Sequence, residues 1–213
     1  MKLKKYLAKT YVSFLDTKKK TIAYLRGKTI KNRDFTIISD NCWGGFIYQR
    51  YGIKYQTPTI GLFFYPEDYI KFLERLDYYL SLDVEVKTRE FSKYADRRPE
   101  RQYYIGMLDD VEIQFLHYKT PEEIVEKWNK RKARINMDKC LIKMSNRSVL
   151  FTSDIYDRFE KLPYKNKILF TRENVNFPHC IYVPEFESII DNTVSEIPYT
   201  MKHCNIRRII NEL

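Results

Sequence analysis

The sequence has few glycines and prolines, and it lacks long apolar runs. Six Gly and eight Pro among 213 residues argue against long disordered segments. No run of about 18 apolar residues occurs, so we expect no membrane-spanning helix. The basic N-terminus has neither an apolar core nor a small-residue cleavage site, so it does not indicate a secretory signal. Together these absences predict a cytoplasmic protein.

Motifs for metals and common cofactors are also missing. The four cysteines are far apart and form no C-x-x-C pair, which fits reduced, unpaired thiols better than a disulfide or zinc framework. No H-E-x-x-H motif and no glycine-rich phosphate loop occur, so Rossmann and P-loop folds have no support. We therefore expect no metal site and no tightly bound cofactor.

The net charge of +10 is concentrated at the N-terminus. Residues 1–33 hold 11 of the 38 Lys and Arg residues but one acid, Asp16, whereas the rest of the chain holds 27 bases and 27 acids. The body of the protein is therefore neutral, and a nucleic-acid partner is not expected.

The N-terminal segment has a helical apolar pattern. Its apolar residues recur every three to four positions, at Leu3, Tyr6, Leu7, Tyr11, Phe14 and Leu15. Two interpretations stay open: the stripe packs on the protein itself, or the basic helix lies on an anionic membrane surface. Nucleic acid is a third option, but the arm has only two arginines and no recognised motif. The predicted organisation is a basic amphipathic helical arm over residues 1–33 and an α/β domain over 34–213. Two lobes of that domain would divide near residue 140.

Strands and helices are predicted to alternate along the body. Apolar β-branched runs predict strands at 34–39, 84–91, 111–118, 140–144, 167–170 and 179–183. Helical spacing and capping signals predict helices at 43–51, 66–82, 121–135, 154–162 and from 201 onward. Residues 57–65 fit either a strand or a packed loop. Residues 92–102 are predicted to form an exposed loop. The alternation favours an α/β fold with a mostly parallel or mixed sheet flanked by helices.

Cys42 is the main candidate for catalysis. It follows a predicted strand and a polar turn and opens a predicted helix, where amide donors can lower a thiol pKa. His117 ends another predicted strand. Because sites in parallel sheets collect at the carboxyl ends of strands, we pair the two residues as nucleophile and base. The alternatives are a small buried cysteine and a histidine held in the core.

Other residues could support such a site. Substrate orientation or oxyanion stabilisation is assigned to residues near the two candidates: Asp40, Asn41, Trp43, Gly44, Asp110 and Glu112. On the predicted helix 121–135, Arg131 and Arg134 could bind phosphate. The alternative for that helix is a solvated basic face with Trp128 in the core.

Five motifs in one order resemble a bacterial family called domain of unknown function 1919, which is often labelled exopolysaccharide biosynthesis protein. They are ISDNCWGG (38–45), PTIGLF (58–63), DYIKF (68–72), DVEIQFLHY (110–118) and KWNKRKARIN (127–136). The family more often has Asn where this chain has Asp40. A more distant similarity is to papain-like cysteine folds, where a Cys-Trp pair also opens a helix and a later His ends a strand.

This resemblance implies work on bacterial exopolysaccharide or capsular polysaccharide. Some polysaccharide-modifying acetyltransferases that resemble the papain fold use Cys and His, so the expected function is acyl transfer from an acyl-coenzyme A to a saccharide. The protein would be cytoplasmic, with its basic arm at the inner face of the membrane. Two alternatives stay open: a saccharide- or lipid-carrier-binding protein without catalysis, and a glycosyltransferase.

Overall fold

The computed structural model describes the backbone of residues 2–99, 101–189 and 195–213, and the side chains of these residues from 15 onward. The helices are α1 (Lys2–Gly27), α2 (Trp43–Arg50), α3 (Pro66–Glu74), α4 (Leu76–Ser81), α5 (Pro121–Lys132), α6 (Asp154–Lys161), α7 (Ile197–His203) and α8 (Ile206–Glu212). The strands are β1 (Thr36–Ser39), β2 (Glu85–Thr88), β3 (Tyr104–Leu108), β4 (Val111–Phe115), β5 (Cys140–Ser145), β6 (Lys167–Thr171) and β7 (Cys180–Tyr182).

The strands form two sheets, and the predicted α/β class with a mixed set of strands is confirmed. One sheet is parallel, in the order β1-β5-β6-β7, and the other is antiparallel, in the order β2-β3-β4. Every residue of β1, β5 and β6 is buried, as expected for parallel strands that are covered on both faces.

The loop at residues 57–65 joins the two sheets. Phe63 exchanges backbone hydrogen bonds with Gln114 of β4, at 2.9 Å in both directions. The next amide, of Phe64, donates to the carbonyl of Asp40 just after β1. Ile38 of β1 and Ile113 of β4 belong to the same apolar core. The loop therefore brings the end of the parallel sheet next to the antiparallel one.

Several predicted boundaries differ from the structure. The predicted helix 66–82 is two helices, because Arg75 leaves helical geometry with φ −133° and ψ 43°. Strand β3 was not predicted; it is short and contains Gly106, where a Cβ would lie 2.4 Å from Phe115 Cε2. The predicted strand 111–118 ends at Phe115, so His117 follows the strand.

Most of the predicted arm at residues 1–33 forms one helix, α1, which ends at Gly27 against the body of the protein. A Cβ at Gly27 would lie 2.4 Å from the Tyr51 carbonyl oxygen, so this end of α1 packs closely on the end of α2. The predicted apolar stripe at residues 3–15 lies outside the described side chains except for Leu15, which is half-buried. Within the described part of the chain, no helix is both long enough and apolar enough to cross a membrane.

Candidate functional site around Cys42

Cys42 is the N-cap of α2, as its place after β1 and a polar turn predicts. Its Sγ lies 3.8 Å from the carbonyl oxygen of Leu62, and the side chain is partly buried. Burial raises the pKa of the thiol, although a backbone hydrogen bond from Gly61 and the charge of Lys143 act in the opposite direction. The resting side chain is therefore a neutral thiol rather than the thiolate that a helix N-terminus alone would favour.

Gly44 is needed for the close packing of α2 on β1. A Cβ at this position would lie 2.8 Å from Ser39 Oγ and 3.1 Å from Ile37 Cγ2. Ser39 Oγ is fixed there, because it accepts from the Gly44 amide at 3.2 Å and donates to the Asn41 carbonyl at 2.7 Å. Gly44 therefore allows α2 to pack closely on β1, and no contact among the described residues links it to the thiol of Cys42.

His117 contacts the loop at residues 57–65, the same loop that Cys42 contacts. Its side chain is exposed, which rules out a core histidine, and its amide donates to the Gly61 carbonyl at 3.2 Å. Gly61 has φ +72°, and a Cβ there would lie 3.4 Å from His117 Cβ. Gly61 therefore contacts both Cys42 and His117. The argument that both residues follow strands of one parallel sheet was wrong, because β4 belongs to the antiparallel sheet.

Tyr118 connects this position to a basic cavity. Its hydroxyl donates to the Ile60 carbonyl at 2.5 Å and accepts from Arg131 Nη1 at 2.7 Å. Arg131 and Arg134 line a cavity of about 350 Å³. Arg134 also donates to the Tyr55 carbonyl at 3.1 Å, and Arg131 lies over the Tyr55 ring. The other charged residues that line this cavity are Lys54, Glu126, Lys127 and Lys130.

A buried ion cluster forms around Asp40 and Asn41, the two residues that precede Cys42. Lys143 of β5 has 0% of its side chain exposed. Its Nζ donates to Asp40 Oδ1 at 2.9 Å, to Asn41 Oδ1 at 3.3 Å and to Glu196. Arg147 lies 3.5 Å from Glu196. The cluster joins the end of β1, strand β5 and the start of α7.

The two carboxylates of this cluster titrate differently. Burial raises the pKa of Asp40 to about 6; Lys143 opposes this shift and Glu196 adds to it. Burial also disfavours ionisation of Glu196, but Lys143, Ser145 and Arg147 outweigh it and lower its pKa. Glu196 is therefore the more firmly ionised partner of Lys143.

Asn41 and Trp43 belong to this cluster rather than to the thiol. Asn41 Nδ2 donates to Glu196 at 2.9 Å, and its Oδ1 accepts from the Trp43 amide at 3.0 Å. Trp43 is buried, and its Nε1 donates to Thr200 Oγ1 at 2.9 Å. Hydrogen bonds already engage both side chains, so they hold the turn before α2 in place.

Asp110 and Glu112 lie elsewhere. Asp110 lies in the turn between β3 and β4, where it accepts from Lys71 at 3.2 Å and from Tyr79 at 2.6 Å. Strand β4 separates it from His117 by roughly 17 Å of backbone. Glu112 is buried and accepts from Ser92, from the Lys93 amide and from Gln114, so it fixes the loop after β2.

Sequence reasoning missed most of the ion cluster, namely Lys143, Ser145, Arg147 and Glu196. One signal was available: Lys143 interrupts an apolar strand sequence, CLIKMS, in a strand that is expected to be buried. A buried lysine needs an acidic partner, which would have directed attention to Asp40. In the described ranges, no group of three or more His, Cys, Asp or Glu residues is suited to hold a metal ion.

The structure thus defines a mixed α/β protein in which a cysteine at a helix N-terminus directly follows two residues of a buried ion cluster. The chain belongs to the family named domain of unknown function 1919 (DUF1919), which it matches over residues 14–212. It is also 33% identical, over 172 residues, to an uncharacterized protein of Haemophilus influenzae. That match covers 80% of this chain and 77% of the relative.

Proposed function

We propose that this protein transfers an acyl group to a saccharide precursor of bacterial surface polysaccharide, with Cys42 as nucleophile and His117 as base. The observation that carries the proposal is that both residues contact Gly61, although 75 positions separate them in the sequence. The polysaccharide pathway is proposed from the label that family members often carry.

The raised pKa of Cys42 determines how the reaction would proceed. The thiol is neutral at rest, so His117 accepts its proton as Sγ attacks the thioester carbonyl of the donor. The carbon–sulfur bond to coenzyme A then breaks, and its sulfur takes the proton from His117. A saccharide hydroxyl next attacks the acyl-cysteine, and His117 moves that proton to Sγ, which restores the thiol.

The basic cavity would hold the phosphates of the donor. Arg131 and Arg134 can each present a planar pair of donors to phosphate oxygens. Arg131 also donates to the hydroxyl of Tyr118, the residue after His117, which links this cavity to the chain beside the proposed base.

The first test is covalent capture. Incubation with acetyl-coenzyme A is expected to add about 42 Da to the intact protein, the mass of one acetyl group on a thiol. Cys42→Ala should abolish the adduct and His117→Gln should slow its formation, whereas the half-buried Cys180→Ala control should keep it. An adduct that persists in Cys42→Ala would place the acetyl group elsewhere and refute the mechanism.

A second candidate is a protein that binds a phosphorylated saccharide or a lipid carrier without catalysis. The partial burial and raised pKa of Cys42 favour it, because binding needs the basic cavity but not the thiol. Cys42→Ala would then bind uridine diphosphate-glucose as the wild type does, while Arg134→Gln would weaken binding. Equal binding by Arg134→Gln and wild type, measured by calorimetry, would refute a role for this cavity in either candidate.

The basic helix α1 supports a location at the inner face of the cell membrane. Three consecutive lysines in its described part, Lys18, Lys19 and Lys20, are exposed. Lys20 pairs with Asp16 at 2.8 Å, so the other two are the available charges of this group for anionic lipids.

A further inference from the structure

A second basic cavity lies where α1, α2, α7 and α8 meet, away from the residues around Cys42. Its volume is about 590 Å³. Three arginines line it, and each comes from a different helix: Arg26 from α1, Arg50 from α2 and Arg207 from α8. No acidic side chain lines it in the part of the chain that the structure describes.

The three arginines differ in their partners from two other polar residues that line this cavity. Lys202 and His203 both contact Glu185, at 2.9 Å each, so that carboxylate balances the charge of Lys202. Glu185 does not line the cavity. Arg50 Nε is buried and has no hydrogen-bond partner among the described atoms. A buried donor without a partner is costly, and an anion in the cavity that accepts from this Nε would relieve that cost.

An apolar cavity adjoins the basic one. It has a volume of about 430 Å³ and shares Arg26 and Arg50 with its neighbour. The rest of its lining is mainly apolar and includes Ile22, Phe46 and Pro198. Phe46 is 42% exposed, which is unusual for a large aromatic side chain of a helix that is otherwise mostly buried.

We propose that these adjoining cavities bind a lipid with a phosphate monoester head group at the membrane surface. The phosphate lies among Arg26, Arg50 and Arg207, and the start of the hydrocarbon chain contacts Phe46 in the apolar cavity. Guanidinium groups match phosphate oxygens in pairs, which explains why arginines rather than lysines form the centre of the site. A free sugar phosphate or nucleotide would leave the apolar cavity unused. The proposal does not depend on acyl transfer at Cys42.

The test uses the full chain and vesicle flotation. Wild-type protein is expected to bind phosphatidylcholine vesicles that contain phosphatidic acid, and to bind less to vesicles with the same charge supplied by phosphatidylglycerol, a phosphodiester. Arg26→Gln/Arg207→Gln should weaken binding to phosphatidic acid by at least about tenfold, since charge-assisted hydrogen bonds contribute that much. Lys31→Gln/Arg208→Gln removes two other exposed positive charges, neither of which lines the two cavities, and should bind as wild type does.

A second variant separates a lipid from a soluble phosphate. Phe46→Gln should weaken binding to phosphatidic acid vesicles but leave the binding of inorganic pyrophosphate unchanged, because the arginines remain. Arg26 and Arg207 are both exposed, so the variant that replaces them should fold. Its thermal unfolding is compared with that of the Lys31→Gln/Arg208→Gln control.

Three results would overturn the proposal. Equal binding to the two kinds of anionic vesicle would indicate attraction to surface charge alone. Equal losses in the two double variants would show that Arg26 and Arg207 have no special role. Wild-type vesicle binding by Phe46→Gln would mean that the apolar cavity takes no hydrocarbon. Because Cys42→Ala leaves this site intact, its vesicle binding should be normal even if the acyl-transfer proposal fails.

Discussion

Replacing Lys143 by Met tests the buried ion cluster. The change keeps most of the length and apolar stem of the side chain but removes the ammonium group from Asp40 and Glu196. Glu196 keeps Arg147 and Ser145, whereas Asp40 keeps only bonds from Ser145, at 3.1 Å from its amide and 3.3 Å from its hydroxyl. Removal of one partner of a buried ion pair costs about 3–5 kcal/mol. Because protonation relieves Asp40, we expect a loss of about 3 kcal/mol in the free energy of unfolding.

The assay is urea unfolding at neutral pH, followed by circular dichroism and compared at equal m-value. The control is Asp40→Asn/Lys143→Met, which removes one charge of each sign and leaves Glu196 with Arg147. We expect Asp40→Asn to cost at least about 1.5 kcal/mol less in the Lys143→Met background than in the wild type, the coupling expected of neighbours in one network. If the free energy of unfolding of Lys143→Met lies within about 1 kcal/mol of the wild type, the ion cluster does not stabilise the fold as described. The same holds if the effects of the two substitutions on that free energy are additive.

Three further predictions concern the turn around Cys42. Gly44→Ala should destabilise the protein by about 1–3 kcal/mol in urea unfolding, because its Cβ would meet the fixed Ser39 hydroxyl. Gly45→Ala is the control. Its Cβ would meet only a flexible side-chain end at 3.4 Å, so it should change stability by about 1 kcal/mol or less. Since the folded-state pKa of Asp40 is raised to about 6, its contribution to stability falls as the pH rises from about 4 to 6, so Asp40→Asn should gain more stability than wild type over that range. Cys42 should react slowly with Ellman's reagent in the native protein and rapidly in urea; fast native labelling would contradict the raised thiol pKa.

The local part of this site could be predicted from the sequence. The apolar β-branched run before Ser39, the polar turn and the helical pattern after Cys42 are contiguous, and each gives a local signal. The capping residue Thr120 and the proline after it likewise predicted the start of α5, and Thr120 Oγ1 does accept from the Glu123 amide. These predictions succeeded because they depend on neighbouring residues.

The partition of strands between two sheets could not be predicted in this way. Whether β4 pairs with β3 or with a parallel neighbour depends on contacts between distant segments, and β3 itself gave no clear pattern because Gly106 interrupts it. The ion cluster could not be predicted for the same reason. Lys143 meets Asp40 across 103 positions and Glu196 across 53, and no spacing in the sequence marks such an encounter.

The ion cluster and Cys42 share one turn, so the cluster bears on the acyl transfer that we propose for Cys42. Asp40 and Asn41 bond to Lys143 and Glu196, and the next residue in the chain is Cys42. Asn41 Oδ1 also accepts from the Trp43 amide, so the first turn of α2 is tied to the same charges. A buried, fully bonded network of this kind is rigid, and a catalytic thiol needs such support to stay aligned with its base. Glu196→Gln should therefore slow the proposed acyl transfer, and Lys202→Gln, near the other end of the helix α7 that Glu196 caps, should not. If Glu196→Gln loses stability but transfers the acyl group at the wild-type rate, the cluster serves folding alone.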